Sequence, residues 1–269
     1  MKALIPAAGL GSRFLPATKA QPKEMLLVVD RPVIQYVVEE GLAAADEVVI
    51  INSRDKKSIE EHFTPNPALE AELRSRGKDK YADKVAHAGN LNVSYVYQDE
   101  PLGLGHAVHC AAEATGNEPF FVLLGDVIVP DNQMLIKMKE VSDAHNGAGV
   151  IAVLPVAEDQ VDRFGVIDGV EVSEGVWKVN SLVEKPAVED APSNLAVFGR
   201  YLLTPRVMEL LADAKPGAGN EIQLTDALDA LLKEEEMYAL VIDPEDGYDT
   251  GTIESWLDTN NRLYKKLHG

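Results

Sequence analysis

Short runs of consecutive apolar residues alternate along the chain with longer stretches in which apolar residues recur every three or four positions. The first pattern reads as strands buried on both faces, the second as helices packed against them. The apolar runs at 3–8, 48–51 and 120–124 carry the strand signal most strongly. Pro32 opens a helix predicted over 33–45, and a short charged helix is predicted over 53–63. Residues 67–88 read as one highly charged helix, an insertion or cover, whose Arg74, Arg76, Lys78 and Lys80 form a solvated face. A strand at 93–97 runs through the Gly-rich loop 98–106 into a helix that ends near residue 114. A helix at 132–145 and a strand at 149–156 continue the alternation.

The texture changes after residue 156. Residues 164–167 and 177–184 are strand-like and separated by glycine turns, which predicts an antiparallel ribbon rather than a strand–helix–strand unit. A strand at 195–203, a helix started by Pro205 and a turn at 216–219 follow. An amphipathic helix is predicted over 221–236, then a strand at 238–242, a loop at 248–252 and a closing helix at 253–267. The expectation is an α/β fold: a Rossmann-like, mixed but mainly parallel central sheet flanked by helices, with a small antiparallel subregion. The whole of 1–269 reads as one domain, divisible into 1–156, 157–252 and the C-terminal helix 253–269.

Charge narrows the function. The chain has 25 Lys+Arg against 44 Asp+Glu, a net charge of −19. Yet its first 23 residues hold Lys2, Arg13, Lys19 and Lys23 and no acid at all. A positive glycine-rich loop on an acidic body suits a phosphate-bearing small molecule. It does not suit nucleic acid, which calls for a broad basic patch. Cys110 is the single cysteine, so an internal disulfide and a cysteine-rich metal site are excluded, and it reads as a small buried helix residue. His106 and His109 could share a helix face, but no third ligand makes a zinc site of them. No apolar stretch approaches the ~20 residues of a membrane span, and no signal peptide is evident, so the cytoplasm is the expected location.

The loop Gly9-Leu10-Gly11-Ser12-Arg13 starts like a dinucleotide fingerprint, and Asp30 mimics the ribose-binding acid of that motif. Phe14 occupies the third glycine position, however, and Pro16 and Pro22 fall where the fingerprint needs a helix. No Walker A loop is present. The loop can instead hold a triphosphate, with Arg13 and Lys23 on its phosphates. Asp126 ends the apolar strand 120–124, where open α/β sheets bind ligands, and is read as a metal ligand over a turn-forming aspartate. Asp249, in Asp-Thr-Gly-Thr, is the candidate second carboxylate and equally readable as a plain turn residue.

Gly9-Leu10-Gly11-Ser12-Arg13, Leu15-Pro16-Ala17-Thr18-Lys19 and Pro22-Lys23-Glu24-Met25-Leu26 together resemble the signature of the sugar-1-phosphate nucleotidylyltransferases. The resemblance is patchy but runs in order from Lys2 to about Thr252. It implies transfer of a uridylyl group from UTP to glucose 1-phosphate, assisted by Mg²⁺, in a homo-oligomer (dimer or tetramer). It also implies roles. Arg13, Lys23, Asp126 and Lys185 would be catalytic, with Lys23 near the reacting phosphates and Lys185 on the sugar phosphate. Ala7, Ala8, Gly9, Gly11, Gln98 and Gly103 would bind the nucleotide. Gly165, Glu184, Lys185, Asn194 and Gly199 would bind the sugar, with 221–226 nearby, and Asp126 and Asp249 would hold the metal. Residues 1–156 would then be mainly the nucleotide half and 157–252 mainly the sugar half. Gly125-Asp126 and Asp-Thr-Gly-Thr depart from the uridylyl pattern, which keeps dTTP as the alternative nucleotide. A catalytically silent, sugar-nucleotide-binding regulatory subunit is the alternative from another class.

Overall fold

A computed structural model describes residues 1–130 and 132–269. The first apolar run forms β1 (Lys2–Pro6). Beyond the glycine loop come a two-stranded ribbon, β2 (Leu27–Val28) with β3 (Arg31–Pro32), and helix α1 (Val33–Leu42). Then follow β4 (Glu47–Asn52), α2 (Lys57–His62), α3 (Pro67–Ser75), α4 (Asp79–Gly89) and β5 (Val93–Tyr97). Next are α5 (Leu104–Cys110), α6 (Ala112–Thr115), β6 (Phe120–Leu123), β7 (Val127–Ile128), α7 (Met134–Ala144) and β8 (Gly149–Pro155). A hairpin of β9 (Gly165–Ser173) and β10 (Val176–Glu184) leads to β11 (Leu195–Leu203) and α8 (Arg206–Ala212). The chain closes with α9 (Leu224–Leu231), β12 (Met237–Val241), β13 (Tyr248–Asp249) and α10 (Ile253–His268).

The main sheet has the order β5-β4-β1-β6-β11-β8-β12-β10-β9. The first four strands are parallel, as are β8 and β12, whereas β11 and β10 run against their neighbours. The sheet is mixed, as predicted, but its neighbouring pairs divide evenly, four parallel and four antiparallel. Because β11 wedges between β6 and β8, residues from both halves of the sequence share it. The core sits on its two faces, and the strands alternate between them with period two. Phe120 and Val122 face one cluster with Leu4, Val49 and Ile51, while Phe121 and Leu123 face the other with Ala3, Ile5, Val48 and Ile50. Helices α5, α8 and α9 cover the first face; α1 and α7 cover the second. A third, smaller cluster joins Val28, Ile128 and Tyr248 to Leu263 of α10.

Several boundaries differ from the sequence expectation for identifiable reasons. The charged stretch 67–88 is two helices, because Gly77 takes φ +69° and the N–H groups of Gly77 and Lys78 fold back to the carbonyls of Arg74 and Leu73. That is a glycine-terminated helix end. The helix expected at 53–63 begins only at Lys57, and the one expected from 221 begins at Leu224. Residues 221–223 are held extended by tertiary contacts described below. The helix predicted to residue 114 is interrupted at Ala111, and Cys110 is half-buried rather than buried.

Candidate active site

The parallel strands β4, β1 and β6 end together, and the crevice beyond their C-terminal ends holds the site. Leaving β1, the chain turns through Gly11 at φ +63°, where a Cβ would press on Thr18 and Lys23 at 3.2–3.3 Å. Thr18 Oγ1 donates to the Gly11 carbonyl at 2.7 Å and fixes that turn. Among the described residues, the backbone N–H groups of Ala8, Gly9, Leu10 and Gly11 donate to no acceptor. Consecutive unpaired amides are costly unless water or an anion takes them, and they form the kind of concavity that binds phosphate. They border a cavity of about 460 Å³ that Lys23, Gln98, Gly103 and Asp126 also line. The four early cations are not equivalent. Lys2 lies at the far end of β1, paired with Glu47 at 3.0 Å, and Lys19 is exposed.

Lys23 Nζ donates to Asp126 Oδ2 at 2.7 Å. Burial works against both charges, but each supports the other. Asp126 and Glu24 keep the Lys23 pKa above its ordinary value, while Lys23 and Arg13 keep the Asp126 carboxyl below the usual carboxylate range. Gly125 fits against the end of β1, where a Cβ would lie 3.2 Å from the Pro6 carbonyl. Asp249 arrives from the other end of the chain because β13 pairs with β7, setting Asp249 opposite Val127. Thr250 clasps the Asp126 carbonyl with its N–H at 2.8 Å and its Oγ1 at 2.7 Å. Asp249 Oδ1 accepts the Gly251 N–H at 2.8 Å, and Arg13 Nη1 reaches the Gly251 carbonyl at 3.4 Å. A Cβ on Gly251 would lie 3.0 Å from Asp249 Oδ1 and 3.6 Å from Asp126 Oδ2, so both carboxylates face one small space. Among the described residues no group of three or more His, Cys, Asp or Glu forms a metal cage. Two carboxylates suit a hard divalent ion whose other ligands come from phosphate and water.

Beneath this turn lies Arg200, fully buried on β11. All five of its N–H groups are used. Nε and Nη2 make a bidentate pair with Glu40 of α1 at 2.8 and 2.7 Å, Nη2 also reaches the Val127 carbonyl at 2.8 Å, and Nη1 reaches the Leu124 and Gly199 carbonyls at 3.3 and 3.0 Å. The backbone on both sides of Asp126 is thereby held from below.

On the other wall, Gln98 is buried and donates from Nε2 to the Gly103 carbonyl at 3.1 Å and to His106 Nδ1 at 2.9 Å. Its Oε1 has no partner among the described residues. Gly103 takes φ +114°, and a Cβ there would lie 2.6 Å from the Ile222 carbonyl. Ile222 N–H donates to the Leu102 carbonyl at 2.7 Å and Gly105 N–H donates to Ile222 at 2.8 Å. This short pairing is what keeps 221–223 extended and delays α9.

A second, mostly apolar cavity of about 180 Å³ adjoins the carboxylates, lined by Asp126, Asp249, Phe164, Val197, Phe198 and Gly199 among others. Near it Gly165 lies opposite Glu184, and a Cβ on Gly165 would sit 3.2 Å from Glu184 Oε2. That oxygen accepts from Thr225 Oγ1 at 2.9 Å, which brings 221–226 to this side. Lys185 has φ +47° and a side chain 60% exposed, its ammonium 3.1 Å from Glu184 Oε1. The structure thus gathers Ala8, Gly9, Gly11, Lys23, Gln98, Gly103 and Asp126 about one cavity and Asp249 and Gly199 about its neighbour. Arg13 reaches the rim they share through Gly251. Glu184, Lys185 and Gly165 form a separate group. Asn194 is brought to neither cavity: it is exposed and donates to the Val156 carbonyl at 3.2 Å. Asp30 sits in the β2–β3 turn, paired with Arg31 and Lys84, so nothing of a ribose-binding acid remains. Sequence reasoning missed Arg200, whose only signal is a lone cation in the apolar run of β11, and Lys56, which looks like one more charge of a surface helix.

This fold and site define a family. The chain matches the nucleotidyl transferase family over residues 2–266 and belongs to it. It is 48% identical over 252 residues to the UTP–glucose-1-phosphate uridylyltransferase of Staphylococcus haemolyticus (strain JCSC1435), which covers 93% of this chain and 87% of that one. Its structure is similar to that of apo UDP-glucose pyrophosphorylase, with a TM-score of 0.92 and 40% identity over 99% of this chain and 98% of the other. A UDP-glucose pyrophosphorylase complexed with UDP-glucose gives a TM-score of 0.86 at 40% identity, covering 98% of both chains. A putative glucose-1-phosphate thymidylyltransferase from Bacillus anthracis is more distant, at 25% identity and a TM-score of 0.74 over 97% of this chain and 94% of that one.

Proposed function

We propose that the chain transfers a uridylyl group from UTP to glucose 1-phosphate, giving UDP-glucose and pyrophosphate. The observation that carries this reading is the convergence of four unpaired loop amides, Lys23 and Asp126 on the cavity that also presents Gln98. An oxygen of the sugar phosphate attacks the α-phosphorus of UTP. A new P–O bond forms as the bond from the α-phosphorus to the α,β-bridging oxygen breaks, and pyrophosphate departs with that electron pair. The nucleophile needs no general base, since a phosphate monoester has a second pKa near ~6. What the protein must do is hold two anions together and accommodate charge at phosphorus.

The loop amides and Arg13 hold the triphosphate, and Lys23 contacts the reacting phosphates. Asp126 and Asp249 would hold Mg²⁺, which when bound draws charge from the phosphate oxygens. Gln98 Oε1 is an acceptor for the N3–H of uracil, while Gly103 and the Ala7-Ala8-Gly9 backbone close the base pocket. Glu184 takes sugar hydroxyls, Lys185 the sugar phosphate, and Gly165 and Gly199 complete the sugar side. Residues 1–156 then serve mainly the nucleotide and 157–252 mainly the sugar. Leu257, Tyr264 and Leu267 of α10 are exposed apolar residues, which supports a homo-oligomer, dimer or tetramer. No helix among the described residues is long and apolar enough to cross a membrane, and we place the enzyme in the cytoplasm.

The test is pyrophosphate release with Mg²⁺ and glucose 1-phosphate, offering UTP, dTTP, CTP, ATP and GTP in separate reactions. Turnover with UTP well above the rest is expected. A preference for dTTP would overturn the nucleotide assignment, and no turnover with any of them would overturn the activity.

A further inference from the structure

Lys56 stands just before α2 and has a side chain only 10% exposed. Its ammonium donates to the Ala7 carbonyl at 2.5 Å, to the Gly9 carbonyl at 2.6 Å and to Glu24 Oε2 at 3.0 Å. Those three bonds exhaust its hydrogens, so it has none left for a ligand. Glu24, 1% exposed, adjoins Lys23. A trans peptide points its carbonyl and its N–H in opposite directions. With the carbonyls of Ala7 and Gly9 drawn onto Lys56, the N–H groups of the same two peptides, those of Ala8 and Leu10, are turned the other way. These are two of the four loop amides without a protein acceptor, and both residues line the larger cavity. The backbone of Lys56 is fixed in turn, since Asn52 Nδ2 donates to its carbonyl at 3.3 Å.

We propose that Lys56 is the positioning residue of the phosphate loop: by holding the Ala7 and Gly9 carbonyls it presents the Ala8 and Leu10 amides to the nucleotide's phosphates, and through Glu24 it sets the turn that carries Lys23. This rests on the nucleotide reading of the cavity given above. A residue that only neutralised the buried Glu24 would make a different prediction, because removing both charges together would then restore function.

The experiment compares the wild type with Lys56→Met and with Glu24→Gln/Lys56→Met. It measures UTP binding by calorimetry in the presence of Mg²⁺, KM for each substrate, and thermal stability. For Lys56→Met, UTP binding at least tenfold weaker and a similar rise in KM for UTP are expected, with KM for glucose 1-phosphate little changed. The double variant leaves no uncompensated charge and is expected to regain thermal stability without regaining UTP affinity. If UTP affinity returns in the double variant, or never falls in the single one, the positioning role is wrong. Should Lys56→Met fail to fold, the double variant alone decides between the same outcomes. A wild type that binds no UTP would instead overturn the nucleotide reading, and this inference with it.

Discussion

Gln98 directs both of its amide hydrogens inward, to the Gly103 carbonyl and His106, and is left with a single acceptor atom. An acceptor at that point matches the N3–H of uracil and mismatches the acceptor nitrogen of cytosine. Discrimination of this kind depends on a buried polar group that the wrong ligand would leave unpaired. Replacing Gln98 with Leu is therefore expected to lower kcat/KM for UTP at least tenfold and to narrow the gap between UTP and CTP, read from initial rates with each. Lys23→Met should fall mainly on kcat, by about 10²–10³-fold, if the lysine stabilises charge that develops during transfer. An equal loss confined to KM would reassign it to ground-state binding. His62 offers a separate test in stability. It is half-buried on α2 with Nε2 3.0 Å from Gln35 Oε1, and burial lowers its pKa against a smaller opposing pull from Glu39. A depressed folded pKa means that the unfolded chain binds the proton more readily. Its contribution is thus complete above the unfolded value of about 6.5 and is lost as pH falls through the folded value. Urea melts at pH 7.5 and 5.5 should show the wild type losing more stability than His62→Gln over that interval.

At the scale of elements, the strands were the legible part. The run 120–124 could only be a strand buried on both faces, and β6 is one, with neighbouring phenylalanines in opposite cores. The errors fall where tertiary contacts outweigh a local pattern. Residues 221–223 continue the helical periodicity of α9, yet the pairing of Ile222 with Leu102 and Gly105 holds them extended, and the glycines that permit it lie over a hundred residues away. The site was legible where chemistry is announced by spacing, in the glycine loop and in Gly125-Asp126. It was illegible where a charged residue acts from behind the backbone, because Lys56 and Lys57 look alike until one is seen to turn inward. Helix α10 shows how an element serves the site from a distance. Thr252 caps it, accepting the Ser255 N–H at 3.1 Å, while the Ser255 hydroxyl takes the Thr252 N–H at 3.0 Å. Thr259 Oγ1 then donates to the Asp249 carbonyl at 2.7 Å, and Trp256 Nε1 to the Leu27 carbonyl at 3.1 Å. Thr252→Ala should cost about 1 kcal/mol as a lost cap, measured by chemical denaturation. Because that cap follows the Asp249 loop directly, the variant is also expected to need more Mg²⁺ for half-maximal rate.

Across the whole molecule, the Arg200–Glu40 pair joins parts that the sequence keeps far apart. Glu40 lies in α1 under one face of the sheet, Arg200 in the strand that wedges between β6 and β8, and their shared anchor is the turn bearing Asp126. Removing water from two charges is expensive, and a bidentate geometry with every guanidinium hydrogen used is the arrangement that offsets most of the cost. The pair is therefore a poor source of net stability, and its specific effect is to fix three carbonyls around the turn. Arg200→Leu should be strongly destabilising, by about 3–5 kcal/mol, since Glu40 would be left buried and uncompensated. Glu40→Met/Arg200→Leu removes both charges, and most of that loss should return in the unfolding midpoint. Activity should not return with it, because the guanidinium that ties the Leu124, Val127 and Gly199 carbonyls together is gone, leaving Gly199 and Leu124 only the backbone N–H groups of Leu124 and Val127. A double variant with wild-type kcat would show that the pair serves only the fold, and that the backbone around Asp126 keeps its shape without it.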